Sequence, residues 1–191
     1  MKEELRSFVE SFGFLTKEEI DVIVEYTVLK EYKKGDFLLK QGEIAKECFS
    51  VIKGCIREYK IIDGVEKTTS FFVEGEAVNS FSSYANNKPS EYYIECLEDC
   101  LLTIGNDSLV DAMCERIPRL SKFIQMEVEK EAGKVQERFA SFVSSSPKER
   151  YVELMETNPA LLNRVPQIYI ASYIGVTPES FSRIKKRIFS K

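Results

Sequence analysis

Apolar positions recur along the chain with changing rhythms, and each rhythm marks a different kind of element. In residues 16–27, Ile20, Ile23 and Val24 share one helical face, and Thr16 with Glu19 three residues on forms a capping box, which predicts a helix start. A charged amphipathic helix precedes it over residues 2–12. From Leu29 to about Ile104 the helical period disappears. Short apolar stretches replace it at 37–39, 48–52, 55–62, 68–73, 92–97 and 101–104, bounded by Gly, Asp, Asn and Pro. Asp63-Gly64 between two of them is a strong hairpin signal, and Gly35, Gly42, Gly54 and Gly75 punctuate other turns. Strands repeating at this spacing predict an antiparallel sandwich or barrel.

From Ser108 the pattern is helical again. Ile117, Ile124, Val128, Val135 and Phe142 fall on a seven-residue lattice, which Ser121, Glu131 and Arg138 interrupt and Phe123, Met126 and Phe139 broaden. A helix of about 28 residues is ~42 Å long, more than one small domain covers. The seam therefore predicts a partner helix; packing on its own domain is the alternative. Ser144-Ser145-Ser146-Pro147 breaks the pattern, with Ser146 as a cap and Pro147 at the first position of a helix that holds Tyr151, Leu154 and Met155.

The last stretch, residues 167–187, reads QIYIASYIGVTPESFSRIKKR. A short helix with Ile168, Ala171 and Ile174 runs into Gly175. Thr177 then caps a second helix, with Pro178 at its first position and Phe181 and Ile184 facing inward. Two short helices joined by a tight glycine turn form a helix-turn-helix. The second helix turns Glu179, Ser180, Ser182, Arg183 and Arg187 outward and is basic through Arg183, Lys185, Lys186 and Arg187, a pattern that points to the major groove of duplex DNA. The bland alternative is a helical hairpin whose basic last turn complements the helix dipole.

Charge sharpens this asymmetry. The 191 residues carry a net −4, yet residues 181–191 hold Arg183, Lys185, Lys186, Arg187 and Lys191 and no acid. Subtracting those five charges leaves −9 on the other 180 residues, a split in which one end meets phosphates. No apolar run approaches a membrane span, and the charged N-terminus is not a signal peptide, so a cytoplasmic protein is expected. Cys48, Cys55, Cys96, Cys100 and Cys114 lie beside apolar residues and read as free thiols; the C-x3-C spacing of Cys96 and Cys100 leaves a metal or redox pair as the alternative. With no histidine and no nucleophile–base constellation, phosphate loop or metal cluster, an enzyme is not expected.

A strand-rich domain, a long dimer-type helix and a helix-turn-helix, in that order, resemble the Crp/Fnr family of bacterial transcription regulators. Lys34-Gly35-Asp36, Gln41-Gly42-Glu43, Lys53-Gly54 and Glu74-Gly75-Glu76 look like the turn motifs of that family's cyclic-nucleotide-binding-type domain. The resemblance implies an α+β protein. Its parts are an antiparallel β-roll or jelly roll (a double-stranded β-helix) in a sensor domain over 1–115, a dimerisation helix over 116–144 and a DNA-binding domain over 145–191. It implies a homodimer that binds double-stranded DNA and RNA polymerase. By resemblance Glu179 and Arg183 read bases, which suits cytosine N4 and guanine respectively. Thr177, Ser180 and Ser182, with Lys185, Lys186 and Arg187, would contact phosphates.

The chain departs from the family in three places. Pro178 stands where a base-contacting arginine is common. Only Ile188 to Lys191 follow where a β-wing is usual. At the effector site the family's Gly-Glu pair becomes Asn79-Ser80, and its phosphate-gripping Arg-Ser or Arg-Thr pair becomes Ser90-Glu91, with only Lys88 near to offset Glu91. A charge-assisted contact is replaced by repulsion. No tight cyclic-AMP binding is expected, no cofactor is implied, and a pocket between Phe72 and Tyr93 is left for another small molecule or for the protein's own side chains. A sensor or interaction module that has lost specific DNA binding is the competing reading.

Overall fold

A computed structural model describes residues 1–190; Lys191 lies outside them. The chain packs as two units, one of residues 1–60 and 70–124, the other of residues 61–69 and 125–191.

The first unit opens with helices α1 (Lys2–Glu10) and α2 (Lys17–Tyr26). Thr16 and Glu19 make the capping box at the start of α2, with side chain and backbone satisfied in both directions. Strands follow: β1 (Val28–Tyr32), β2 (Phe37–Leu39), β3 (Cys48–Lys53), β4 (Ile56–Ile62), β5 (Val65–Phe72), β6 (Ala77–Val78), β7 (Tyr93–Cys96) and β8 (Cys100–Gly105). They form two four-stranded sheets, ordered β1-β8-β3-β6 and β2-β7-β4-β5. Every pairing with a resolved register is antiparallel. The expected antiparallel roll is the observed fold, and short β1 and β6 complete it. Its core is the inward set Tyr32, Leu39, Phe49, Val51, Ile56, Val78, Ile94, Cys96, Cys100 and Leu102.

Gly54 shows why a glycine ends β3. Its φ is 121°, and a Cβ there would collide with Cys100 Sγ and lie 2.9 Å from Cys100 Cα. All five cysteines are free thiols, with Cys55, Cys96 and Cys100 buried. Among the described residues no group of acidic, cysteine or histidine side chains could hold a metal ion.

A short helix α3 (Phe81–Asn86) lies between β6 and β7; α4 (Asp107–Arg116), capped by Asn106, follows β8. The long helix α5 (Pro118–Ser144) has 27 residues, of which 118–124 belong to the first unit and the rest to the second. Ile117 corrects the expected seam. It precedes α5, is 1% exposed, and packs with Leu5, Val9, Ile20, Ile23, Val24 and Leu120. The lattice spacing admitted Ile117, but Pro118 starts the helix one residue later, and Ile117 is spent on α1 and α2. Ile124 is also partly buried against that cluster. Farther along, Met126, Val128, Val135, Phe139, Phe142 and Val143 are all exposed, Phe139 at 70%.

The second unit continues with α6 (Pro147–Thr157), α7 (Leu161–Arg164), α8 (Gln167–Tyr173) and α9 (Pro178–Phe189). Ser146 and Glu149 form a second capping box, with Pro147 in the first turn. Tyr151, Leu154, Leu161, Val165, Ile170, Ala171, Ile174 and Phe181 are its buried apolar residues. Tyr151 and Phe181 meet edge to face with centroids 4.9 Å apart, which fixes α6 against α9.

Candidate nucleic-acid interface and effector region

The turn between α8 and α9 is built from backbone geometry. Val176 N–H donates to Ala171 O at 2.9 Å and Gly175 N–H to Ser172 O at 3.0 Å, which is a Schellman stop. Gly175 supplies the left-handed φ of 80° that this stop requires. Ala171 is fully buried, as close helix approach demands. Thr177 then caps α9, its hydroxyl accepting from Ser180 N–H at 3.3 Å.

Arg150 holds this turn from below. Its guanidinium donates to Ile174 O from Nε (3.1 Å) and Nη2 (2.8 Å), and from Nη1 to Phe142 O (2.9 Å) and Ser145 O (2.5 Å). It also stacks 4.3 Å from the centroid of Phe142. One cation thus satisfies orphan carbonyls at the C-termini of α5 and α8 together, where the helix dipoles favour positive charge. The sequence reading missed Arg150, which gives no local signal because it ends the charged run Lys148-Glu149-Arg150.

On α9, Glu179, Ser182, Arg183, Lys186 and Arg187 are exposed along one side, while Phe181 is buried and Ile184 and Ile188 are half-buried. Arg183 Nη2 donates to Ser180 Oγ at 3.0 Å, and Thr177 Oγ1 donates to the same oxygen at 3.3 Å. Backbone N–H donation at the helix start, with Thr177 and Arg183 adding to it, holds the Glu179 carboxyl below its ordinary value of 4.5, so it stays ionised. Lys185 differs from the expectation of a free phosphate contact. It is half-buried, its ammonium donates to Gln167 Oε1 at the start of α8, and it lies 5.0 Å from the centroid of Phe181.

The β4–β5 hairpin tip belongs to this same unit. Thr68 N–H donates to Ser172 Oγ at 2.9 Å, and the Ser172 hydroxyl donates to Glu66 O at 3.1 Å. One side chain of α8 therefore pins two backbone groups of the hairpin.

In the β-roll, the expected effector residues do not converge. Glu91 is paired with Lys60, Nζ to Oε2 at 2.5 Å, and this contact holds the Glu91 carboxyl low. Lys60, on strand β4, is thus the partner that offsets Glu91, while Lys88 is exposed and makes no ion pair with it among the described residues. Tyr93 does not face the interior. Strand alternation puts it opposite Ile94, stacked on Tyr59 with centroids 5.0 Å apart. Phe72 packs against the core. Ser80 and Ser90 are buried with their hydroxyl oxygens 3.5 Å apart, and Ser90 also bonds the Tyr92 backbone, so both hydroxyls are engaged within the protein.

A cavity of about 330 Å³ does exist, beside the β2–β3 loop. Leu39, Ile44, Phe49 and Val78 supply apolar wall, and of the expected residues only Asn79 and Ser80 line it. Asn79 Oδ1 is buried there without a hydrogen-bond partner among the described residues. Arg57, which the sequence reading passed over, is fully buried, lies 4.2 Å from the Tyr59 centroid and pairs with Glu95 at 3.5 Å.

Comparison with known proteins fits this anatomy. Residues 29–116 match the family model of the cyclic nucleotide-binding domain. The chain is 23% identical over 185 residues to electron transport regulator A of Shewanella oneidensis, covering 89% of this chain and 71% of that protein. It is likewise 23% identical over 182 residues to the fumarate and nitrate reduction regulatory protein of Vibrio cholerae, with 89% and 71% covered. Among solved structures, FixK2 from Bradyrhizobium japonicum superposes with a TM-score of 0.69 at 16% identity, covering 86% of this chain and 85% of that one. Residues 29–116 are therefore a cyclic-nucleotide-binding-type domain, followed by a long helix and a capped helix-turn-helix in the fold of the solved relative. In fold and in the order of its elements the chain is similar to these regulators, as its resemblance to the Crp/Fnr family implies.

Proposed function

We propose that this regulator is a homodimer that reads a pseudo-palindromic DNA site through α9. The observation that carries the reading is the exposed Glu179–Arg183 face on a helix whose cap, turn and core are all satisfied. Arg183 offers a fork to guanine, and the ionised Glu179 accepts from cytosine N4. Lys186 and Arg187 contact phosphates. The exposed apolar stripe of α5 formed by Val128, Val135, Phe139 and Phe142 supports pairing with a second copy, since water-exposed apolar side chains gain by burial. Two recognition helices then fall about one DNA turn, ~34 Å, apart. RNA polymerase is the downstream partner on this reading.

On this reading the effector is not a cyclic nucleotide: Glu91, a carboxylate paired with Lys60, is the residue beside Ser90 where a phosphate-gripping pair would stand. The test is selection from a random duplex pool with the purified full chain. A two-fold-symmetric motif is the expected result, and Arg183→Ala costs about 1–3 kcal/mol at one base position. A pool recovered without sequence preference refutes the proposal.

A further inference from the structure

The Thr177–Ser180–Arg183 contacts assign Ser180 a role that its type and place on the helix do not announce. Its oxygen accepts twice, from Thr177 Oγ1 at 3.3 Å and from Arg183 Nη2 at 3.0 Å. A serine hydroxyl has two acceptor sites and one donor, so both acceptor sites are taken and only the proton is left. Thr177 is itself held, because its Oγ1 accepts the Ser180 N–H at 3.3 Å as the helix cap. The chain of contacts therefore starts at a fixed backbone point and ends on the guanidinium.

We infer that Ser180 is a positioning residue for Arg183: it anchors one N–H of Nη2 and so orients the guanidinium before DNA arrives. The inference rests on the reading of Arg183 as a base reader. A guanidinium has five N–H donors, so four remain after this contact, including a parallel pair for guanine O6 and N7. A long exposed arginine otherwise loses its rotamer freedom only on binding, at a cost to affinity. Ser180 removes part of that loss in advance. Donation into its oxygen also polarises the remaining hydroxyl proton.

The experiment uses the full chain and the consensus duplex that pool selection returns, with random duplex as reference. Ser180→Ala is the informative variant, because it keeps the backbone N–H that the Thr177 cap needs. Affinity for consensus is expected to fall about three- to tenfold, with random duplex changed by less than about twofold. Ser180→Thr, which restores the oxygen, recovers the ratio. In an Arg183→Ala background, Ser180→Ala has no further effect.

An equal loss on consensus and random duplex with a flatter salt slope overturns the inference and makes Ser180 a phosphate contact only. Full additivity with Arg183→Ala also overturns it. If Arg183→Ala leaves the consensus-to-random ratio intact, base reading by Arg183 fails first, and that result is visible before Ser180 is changed.

Discussion

Replacing Arg150 with alanine tests whether the helix-turn-helix is held by its own core or by a single cation. The guanidinium makes four N–H···O contacts to carbonyls of Phe142, Ser145 and Ile174. A hydrogen bond to a charged group contributes roughly 1.5–3 kcal/mol, and an orphaned buried carbonyl costs about 1–3 kcal/mol. Ile174 is buried, whereas Phe142 is exposed and water can replace part of what is lost there. The expected destabilisation of the second unit is therefore about 2–4 kcal/mol. At roughly 2–4 °C per kcal/mol for a chain of this size, its melting midpoint falls by about 5–15 °C. Two units need not unfold together, so hydrogen exchange of the amides in α6, α8 and α9 is the assay that isolates the effect. Arg150→Lys keeps positive charge at both helix ends but loses the fork and the stacking, and is expected to recover less than half of the stability. Unchanged exchange in Arg150→Ala refutes the reasoning, because the turn would then rest on Gly175 and the apolar core alone.

Further outcomes follow from other contacts. Phe139→Glu or Val135→Glu on the exposed stripe of α5 is expected to convert a dimer to a monomer in sedimentation equilibrium, with the fold intact by circular dichroism; a dimer that persists removes α5 from the interface. Calorimetric titration of the wild type with cyclic AMP is expected to show no heat of tight binding, while Ser90→Arg with Glu91→Ser restores a cation and a hydroxyl and gains binding; binding by the wild type refutes the account of Lys60 and Glu91. Contacts to the Ser146 backbone and hydroxyl hold Glu149 below its ordinary 4.5, and its folded value is thus lower than its unfolded one. Its cap therefore stabilises fully above pH 4.5 and is lost as pH falls through the depressed value, so Glu149→Gln should flatten the acid limb of the melting curve below pH 4.5.

What was legible in the sequence was local. Thr16 with Glu19, Ser146 with Glu149, and Gly175 before Thr177 each encode a helix end within a few residues, and all three form as read. The short apolar stretches of β3, β4, β5, β7 and β8 were visible because turn residues bound them. The errors lie at long sequence separation. Lys60 and Glu91 are 31 residues apart, Arg150 and Ile174 are 24 apart, and Ser172 reaches Glu66 across 106. No periodicity carries such pairings. Ile117 failed for a related reason: a seven-residue lattice records spacing along a helix, not which neighbour claims the side chain. Of the expected effector residues Asn79 and Ser80 line the cavity and Tyr93 does not, because a resemblance aligns positions, whereas strand alternation decides that Tyr93 and Ile94 face opposite ways.

The hairpin held by Ser172 bears on how this protein can be dissected. Residues 61–69 pack with residues 125–191, so the second unit is discontinuous in sequence. A proteolytic cut near residue 124 does not separate two complete pieces. The C-terminal fragment leaves its hairpin behind, and Ser172 then faces water where it had bonded Glu66 and Thr68. A DNA-binding module excised at the end of the β-roll is accordingly a different object from the one in the intact chain, and affinities measured on it describe a helix-turn-helix that has lost one wall.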